Sequence, residues 1–191
     1  MESFSKKAFD IIYIVDPGNH GAICCGTCIA DFRLIAKGKG KPQTAKDYIN
    51  FFSKLSLLKD VLLVIERIPY TNARNPGIGG GWKKYVAQSR EDAFWEVVAE
   101  ACGDYWRLYP GTWRKAAFGK ATLPLGYTNF HEYEKSQAVK LFPHLDWGKW
   151  RMRNPISDNP IYGQSACCGI FIAALTILKN IKTFAKRLLG K

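Results

Sequence analysis

The stretch DIIYIVDPGNHGAICC, residues 10–25, decides the fold. Its apolar run ends at Asp16, and the PGNHG that follows is rich in turn-forming residues, so we expect a strand and then a tight turn. AICC (22–25) and DFRLIAKG (31–38) come next at hairpin spacing, with GTC between them. The first forty residues therefore predict a three-stranded antiparallel meander.

Downstream, apolar strands alternate with helical periodicities. VLLVI (61–65) is a continuous apolar run of the kind found in buried parallel strands, and Glu66 stands at its carboxyl end. Alternating helices and strands indicate an α/β fold, a mixed sheet flanked by helices. We expect a further strand over 104–110, a glycine-rich loop over 70–84, and helices over 45–58, from Arg90 to Gly103, over 131–142 and from about Gly163 onward.

Length and composition favour a single domain, residues 1–191, that binds a polyanionic partner. With 191 residues and 47% apolar composition, the chain is long enough for one substantial core and short for two. The 28 Lys and Arg residues exceed the 16 acidic ones, giving a net charge of +12 that is spread along the chain. The basic end, 178–191, predicts a helical tail that contacts phosphate or a second subunit.

Neither membrane insertion nor secretion is expected. The longest apolar run, 167–178, spans about 12 residues against the roughly 20 that a membrane helix needs, so it predicts a buried helix. The amino terminus has no small-residue cleavage site after its apolar run. The six cysteines include two adjacent pairs inside apolar segments, which favours buried free thiols over disulfides.

Asp16 and Glu66 are candidate metal ligands. A carboxylate at the end of a buried strand lies just outside the core, and two such ends on neighbouring strands can converge on one Mg²⁺. Two ions held in this way would activate a water and stabilise the leaving oxygen of a phosphodiester, which needs at least three acids. Without a ligand, Asp16 would form a turn with Gly18, and Glu66 would pair with Arg67 or another base.

Three motifs resemble those of RuvC-type Holliday junction resolvases, in the phage and organellar branch. They are IVDPGNHGAI, LLVIERIP and YPGTWRKAAFG, which occur in the right order and cover about residues 16 to 118. The resemblance implies a ribonuclease H-like fold with a five-stranded mixed sheet. It also implies a homodimer that nicks four-way DNA junctions with Mg²⁺, or Mn²⁺, in the cytoplasm of a bacterial or phage-infected cell or in an organelle matrix.

The chain departs from that family at its last helix. The family places one or two further acids there, whereas this sequence reads IYGQSACCGIFIAAL, so that the final acid falls on Ala166 or Cys167. The nearest carboxylate is Asp158, which otherwise caps a turn of its loop. Three explanations stay open: natural loss of cleavage, replacement by Asp158 or another acid, and an inactivating substitution.

Basic residues in loops near the two acids are candidate DNA contacts, although each alone is typical of a solvated surface charge. Tyr70 and Trp82 could stack on opened bases. The candidates, with one aromatic, are Lys37, Lys39, Lys41, Arg74, Lys83, Lys84, Trp113, Arg114, Lys115, Arg151 and Arg153.

The sequence thus predicts a Holliday junction resolvase whose metal ligands are Asp16 and Glu66. Two rivals stay open: a junction-binding protein of the same fold without cleavage, and another ribonuclease H-like nuclease that acts on RNA–DNA hybrids. The number of acids around Ala166 separates the first two.

Overall fold

The computed structural model describes residues 9–17, 21–37, 44–56, 60–67, 81–119, 122–147 and 161–188. The strands are β1 (Ile11–Val15), β2 (Ala22–Gly26), β3 (Arg33–Lys37), β4 (Val61–Glu66) and β5 (Tyr105–Leu108). The helices are α1 (Ala45–Ser56), α2 (Gly81–Cys102), α3 (Pro110–Phe118), α4 (Phe130–Leu141) and α5 (Ile161–Leu188), with a short 3-10 turn over Ile29–Asp31.

The five strands form one mixed sheet in the order β3-β2-β1-β4-β5. β1, β2 and β3 pair antiparallel as the predicted meander, while β1, β4 and β5 run parallel. This arrangement, covered by helices, confirms the predicted α/β fold with a mixed five-stranded sheet flanked by helices.

Helices cover both faces of the sheet. Ile12 and Ile14 of β1 face a core that includes residues of α3, α4 and α5, whereas Tyr13 and Val15 face a second core built with α1 and α2. Because β1 and β4 are buried on both sides, they are apolar without alternation, as the sequence suggested.

Helix α5 is the one described helix that is long and apolar enough to cross a membrane. Its window Gln164–Ile181 has a mean hydropathy of 1.4, and 56% of that window is buried inside the protein. Ile170, Phe171 and Ala174 are fully buried in the core beneath the sheet. The helix is therefore used as a core element of this fold.

Two helices differ from the sequence-based expectation. α2 begins at Gly81, nine residues before the predicted start at Arg90. Its first turns carry good helix formers such as Lys83 and Ala87 but no apolar stripe, so the apolar repeat did not reveal them. The predicted loop 70–84 is correspondingly wrong at its end. No element was predicted for GTWRKAAFG. It belongs to α3, which begins at Pro110 and ends at Phe118, and Gly119 caps it in the left-handed region (φ 70°).

Candidate active site

The sheet register brings Asp16 and Glu66 together. β1 and β4 pair in parallel with Val15 opposite Ile65, so Asp16 and Glu66, which follow these two residues, also lie opposite each other. The two carboxyl groups are hydrogen-bonded to each other. The predicted pair is thus close enough to share one ion, while metal binding itself stays a prediction.

Gly21 allows the chain to turn back beside Asp16. The Asp16 amide donates to the carbonyl of Ala22 (2.9 Å), which closes the turn between β1 and β2. A Cβ atom on Gly21 would lie 1.9 Å from the Asp16 carbonyl oxygen. Only glycine therefore fits here, because any side chain would displace the backbone that carries Asp16.

Trp113 holds Glu66. Its indole Nε1 donates to Glu66 Oε1 at 2.9 Å, and the side chain is 0% exposed. The prediction that Trp113 contacts DNA is therefore wrong, because the ring is packed inside the core. Gly169 of α5 makes room for the ring, since a Cβ there would lie 2.5 Å from Trp113 Cζ3.

Burial raises the pKa of Glu66. The hydrogen bonds from Trp113 and Asp16 and the charge of Arg114 oppose that rise, whereas the charge of Glu134 adds to it. Two carboxyl groups in contact cannot both carry a full charge at low cost, so the pair holds a proton to a higher pH than a solvated carboxyl group does. A divalent cation at this pair would therefore bind with release of a proton.

Arg67 does not serve as the partner of Glu66 that the sequence left open. Its guanidinium lies 3.5 Å from Asp92 and stacks over the ring of Tyr109, 4.9 Å from the ring centroid. Asp92 also pairs with the buried Arg107 on the other side of the sheet. Glu66 instead accepts a hydrogen bond from Trp113 of α3.

A second group of charges adjoins the pair. Arg114 Nε donates to Glu134 Oε1 at 2.5 Å, and its guanidinium lies between the rings of Trp113 and Phe130, at 5.0 and 4.7 Å from their centroids. The Glu134 side chain is only 1% exposed, and His131 Nδ1 lies 3.7 Å from its Oε2. Sequence reasoning missed Glu134 and His131; their i, i+3 spacing beside an apolar helix face was the available signal.

The start of α5 packs beside the pair without supplying an acid. Gln164, Ser165, Ala166 and Cys167 are all buried. The Cys167 thiol lies 3.3 Å from the carbonyl of Ala22 and interacts with the backbone of Asp16 and the charge of Glu66. The resemblance places the missing acid at Ala166 or Cys167. Of these two positions, Cys167 adjoins the Asp16–Glu66 pair.

The site as described offers two carboxylates to a metal. Among the residues that the structure covers, no group of three or more His, Cys, Asp or Glu side chains could hold an ion. The pair fits one Mg²⁺ whose remaining ligands are waters, but no second ion. Asp158, the suggested replacement acid, lies outside the described residues.

Few of the predicted DNA contacts can be placed. Lys115 is exposed on α3, and Arg114 is 19% exposed because it is paired with Glu134. For three candidates the backbone is described but the side chain is not: Lys37, Lys83 and Lys84. Five others lie outside the described residues: Lys39, Lys41, Arg74, Arg151 and Arg153.

Comparisons with known proteins give only distant similarities. No protein-family model matches the chain, and no curated protein matches it either. A structure of Thermus thermophilus RuvC is 12% identical, with 86% of this chain and 95% of that chain covered and a TM-score of 0.44. A structure of T. thermophilus RuvC in complex with a Holliday junction substrate is 13% identical, with 90% and 96% covered and a TM-score of 0.42. Similarity at this level carries no argument about function.

Proposed function

We propose that the chain is a metal-dependent endonuclease that resolves four-way DNA junctions by paired nicks. The observation that carries the proposal is the hydrogen-bonded Asp16–Glu66 pair at the ends of adjacent parallel strands. Such a pair, at the edge of a covered sheet in a chain with a net charge of +12, has the chemistry of a phosphodiester-cleaving site. The four-way junction as substrate rests on the resemblance of the three motifs.

Each residue of the site has a task in this proposal. Asp16 and Glu66 hold Mg²⁺, or Mn²⁺, which when bound would activate water and stabilise charge on the phosphate. Trp113 orients the Glu66 carboxylate through its indole N–H. The exposed Lys115 and the other basic residues neutralise DNA phosphates.

A homodimer completes the proposal, because two nicks in opposite strands require two sites. A bacterial or phage-infected cytoplasm, or an organelle matrix, is the proposed location. Both follow from the family resemblance and await measurement.

A second candidate is a junction-binding protein of the same fold without cleavage. The observation that favours it is the start of α5, where Ala166 and Cys167 stand in place of the family's acid. With only two carboxylates, the second ion would lack a ligand while DNA binding through basic residues survives. The two candidates make opposite predictions for the same assay.

The test is cleavage of a synthetic four-way junction and of a linear duplex, in Mg²⁺ and in EDTA. The native chain is compared with Ala166→Asp, Cys167→Asp and, as the inactive control, Asp16→Asn. Paired nicks by the native chain, abolished in Asp16→Asn, support the endonuclease. Nicks by an aspartate variant alone indicate a disabled resolvase, and junction binding without nicks by any variant supports the second candidate.

An RNA–DNA hybrid serves as a third substrate in the same assay. Cleavage of the hybrid, without any preference for the four-way junction over the linear duplex, would replace the proposal with the ribonuclease alternative. Equal affinity for junction and duplex with no cleavage would overturn both junction candidates.

A further inference from the structure

Arg67 lies on the opposite face of the sheet from the Glu66 side chain. Its amide donates to the carbonyl of Leu108 at 2.8 Å, so the pairing of β4 with β5 continues one residue past Glu66. Successive side chains of a strand point to opposite faces, and here Glu66 contacts α3 whereas Arg67 contacts α2. The edge formed by the carboxyl ends of β1, β4 and β5 therefore has two acids on one side and a guanidinium on the other.

An aromatic ring and an acid orient the Arg67 guanidinium. Its Cζ lies 4.9 Å from the centroid of the Tyr109 ring, and its Nη2 lies 3.5 Å from Asp92 Oδ2. The Arg67 side chain is 35% exposed, and Tyr109 is 42% exposed. A planar guanidinium that is stacked in this way loses little conformational freedom when it binds an anion.

The acids near Arg67 are engaged mainly by a different arginine. Arg107, whose side chain is 5% exposed, pairs with both Asp92 and Glu96. Arg67 adds only the longer contact to Asp92, and its Nε is buried with no hydrogen-bond partner among the described residues. The cluster is thus held together by Arg107, and Arg67 lies at its solvent-facing rim.

The first turns of α2 extend past the same edge of the sheet. Tyr105 at the start of β5 contacts Glu96, and Arg107 near its end contacts Asp92, so α2 runs antiparallel to β5. Residues 81–91 of the helix therefore continue beyond the strand ends, over roughly 16 Å at about 1.5 Å per residue. This segment has three basic residues and one acidic residue, namely Lys83, Lys84, Arg90 and Glu91.

We propose that Arg67 binds a DNA phosphate next to the one at the Asp16–Glu66 pair, with Tyr109 as the positioning residue of its guanidinium. The proposal rests on the proposed function, because it needs a DNA strand that crosses this edge of the sheet. Glu66 and Arg67 are consecutive but face opposite sides, so they suit neighbouring phosphates of one strand. A guanidinium donates two parallel N–H bonds to a phosphate, and the basic start of α2 lies on the side where the strand continues.

The experiment measures DNA affinity in EDTA, so that binding is observed without metal-dependent cleavage. A fluorescent four-way junction and a linear duplex are titrated at several salt concentrations with the native chain, Arg67→Gln, Arg67→Lys, Tyr109→Phe and Tyr109→Ala. Arg33→Gln is the matched control, since the exposed Arg33 pairs with Cys25, toward the opposite end of the sheet from Asp16. Thermal unfolding shows whether each variant is folded.

We expect Arg67→Gln to bind both DNAs roughly three- to tenfold more weakly, with a salt slope reduced by about 0.9, the value for one lost phosphate contact. Arg67→Lys keeps the charge but not the stacked fork, so its affinity should fall between the two. Tyr109→Phe keeps the ring and should bind like the native chain, whereas Tyr109→Ala should lose roughly two- to fivefold. Arg33→Gln should leave the salt slope unchanged.

Equal affinities and salt slopes in Arg67→Gln and Arg33→Gln would overturn the proposal, while junction binding by the native chain would leave the proposed function intact. Equal losses in Tyr109→Phe and Tyr109→Ala would overturn the positioning role of the ring. If Arg67→Gln does not fold, Arg67→Lys decides instead, and native affinity in that variant would overturn the need for the stacked fork. If the native chain binds neither DNA, the inference and the proposed function both fail.

Discussion

At the scale of single residues, the Trp113 indole is the contact on which the Glu66 carboxylate depends. Trp113→Phe keeps an aromatic ring in the core but removes the donor, so the buried carboxyl loses a bond that favours its charged form. We expect a further rise in the pKa of Glu66, weaker Mg²⁺ binding, and a stability loss of about 1–3 kcal/mol. Calorimetric Mg²⁺ titration and thermal unfolding measure the two effects.

The control for that substitution is Trp147→Phe. Trp147 Nε1 donates to the carbonyl of Phe142 at 2.9 Å, so this variant also loses an indole hydrogen bond. It should lower stability without changing Mg²⁺ affinity. Equal Mg²⁺ affinities in the native chain and Trp113→Phe would contradict the role given to Trp113.

The raised pKa of Glu66 makes a prediction about stability. The folded chain keeps a proton on Glu66 that the unfolded chain has already released, so ionisation of Glu66 opposes folding as the pH rises above the unfolded value of about 4.3. Glu66→Gln removes this penalty and leaves an oxygen to accept from Trp113. In EDTA we expect a gain of about 0.5–2 kcal/mol at neutral pH, vanishing below about pH 4. Denaturant unfolding across this pH range tests it, and a loss of stability at neutral pH would contradict it.

The sequence could predict Asp16 and Glu66 but not the residues that hold them. Strand ends follow directly from apolar runs, so both acids could be placed from the chain alone. The roles of Trp113 and Glu134 depend on which way α3 and α4 present their side chains to the sheet, and α3 was not predicted. A tryptophan beside basic residues therefore suggested a DNA contact. The structure instead buries its ring in the core.

At the scale of elements, the packing of α3 against α5 positions the site. Gly169→Ala would place a methyl group 2.5 Å from the Trp113 ring, so the two helices must separate or the indole must move. We expect a loss of about 1–3 kcal/mol in the free energy of unfolding, together with weaker Mg²⁺ binding. In the double variant with Trp113→Phe, the smaller ring leaves space for the methyl group, so the losses should not add. Strict additivity would show that the two positions do not interact.

The ion pair between α3 and α4 separates two basic residues that look alike in the sequence. Arg114→Gln leaves Glu134 buried without its main partner and should cost about 3–5 kcal/mol, whereas Lys115→Gln on the exposed face should change stability by less than about 0.5 kcal/mol. Conversely, Lys115→Gln should reduce the salt slope of DNA binding by about 0.9. Thermal unfolding and DNA titration of both variants test this contrast, and a stable Arg114→Gln would contradict it.

Elements with one clear pattern were predicted, and those with two competing patterns were not. The strands of the meander and β4 have apolar runs of the right length, whereas the position of β4 beside β1 is known from the structure alone. The amino-terminal half of α2 has glycines before it and no apolar stripe, so nothing in its composition outweighed the loop signal. Its helical form is decided by continuation from the buried half that contains Trp95 and Val98.

At the scale of the whole molecule, the net charge of +12 and the geometry of the site make separable contributions to DNA binding. The charge acts on any phosphate backbone, so raising the salt concentration should weaken binding to a linear duplex and to a four-way junction with similar slopes. A preference that comes from the shape of the junction should survive, so we expect the ratio of the two affinities to change by less than about threefold between 50 and 200 mM salt while each affinity falls by much more. Fluorescence anisotropy at several salt concentrations measures both quantities. If the ratio instead falls to one as the salt concentration rises, any preference for the junction comes from its density of charge. Both the junction-resolving endonuclease and the junction-binding protein would then lose their basis.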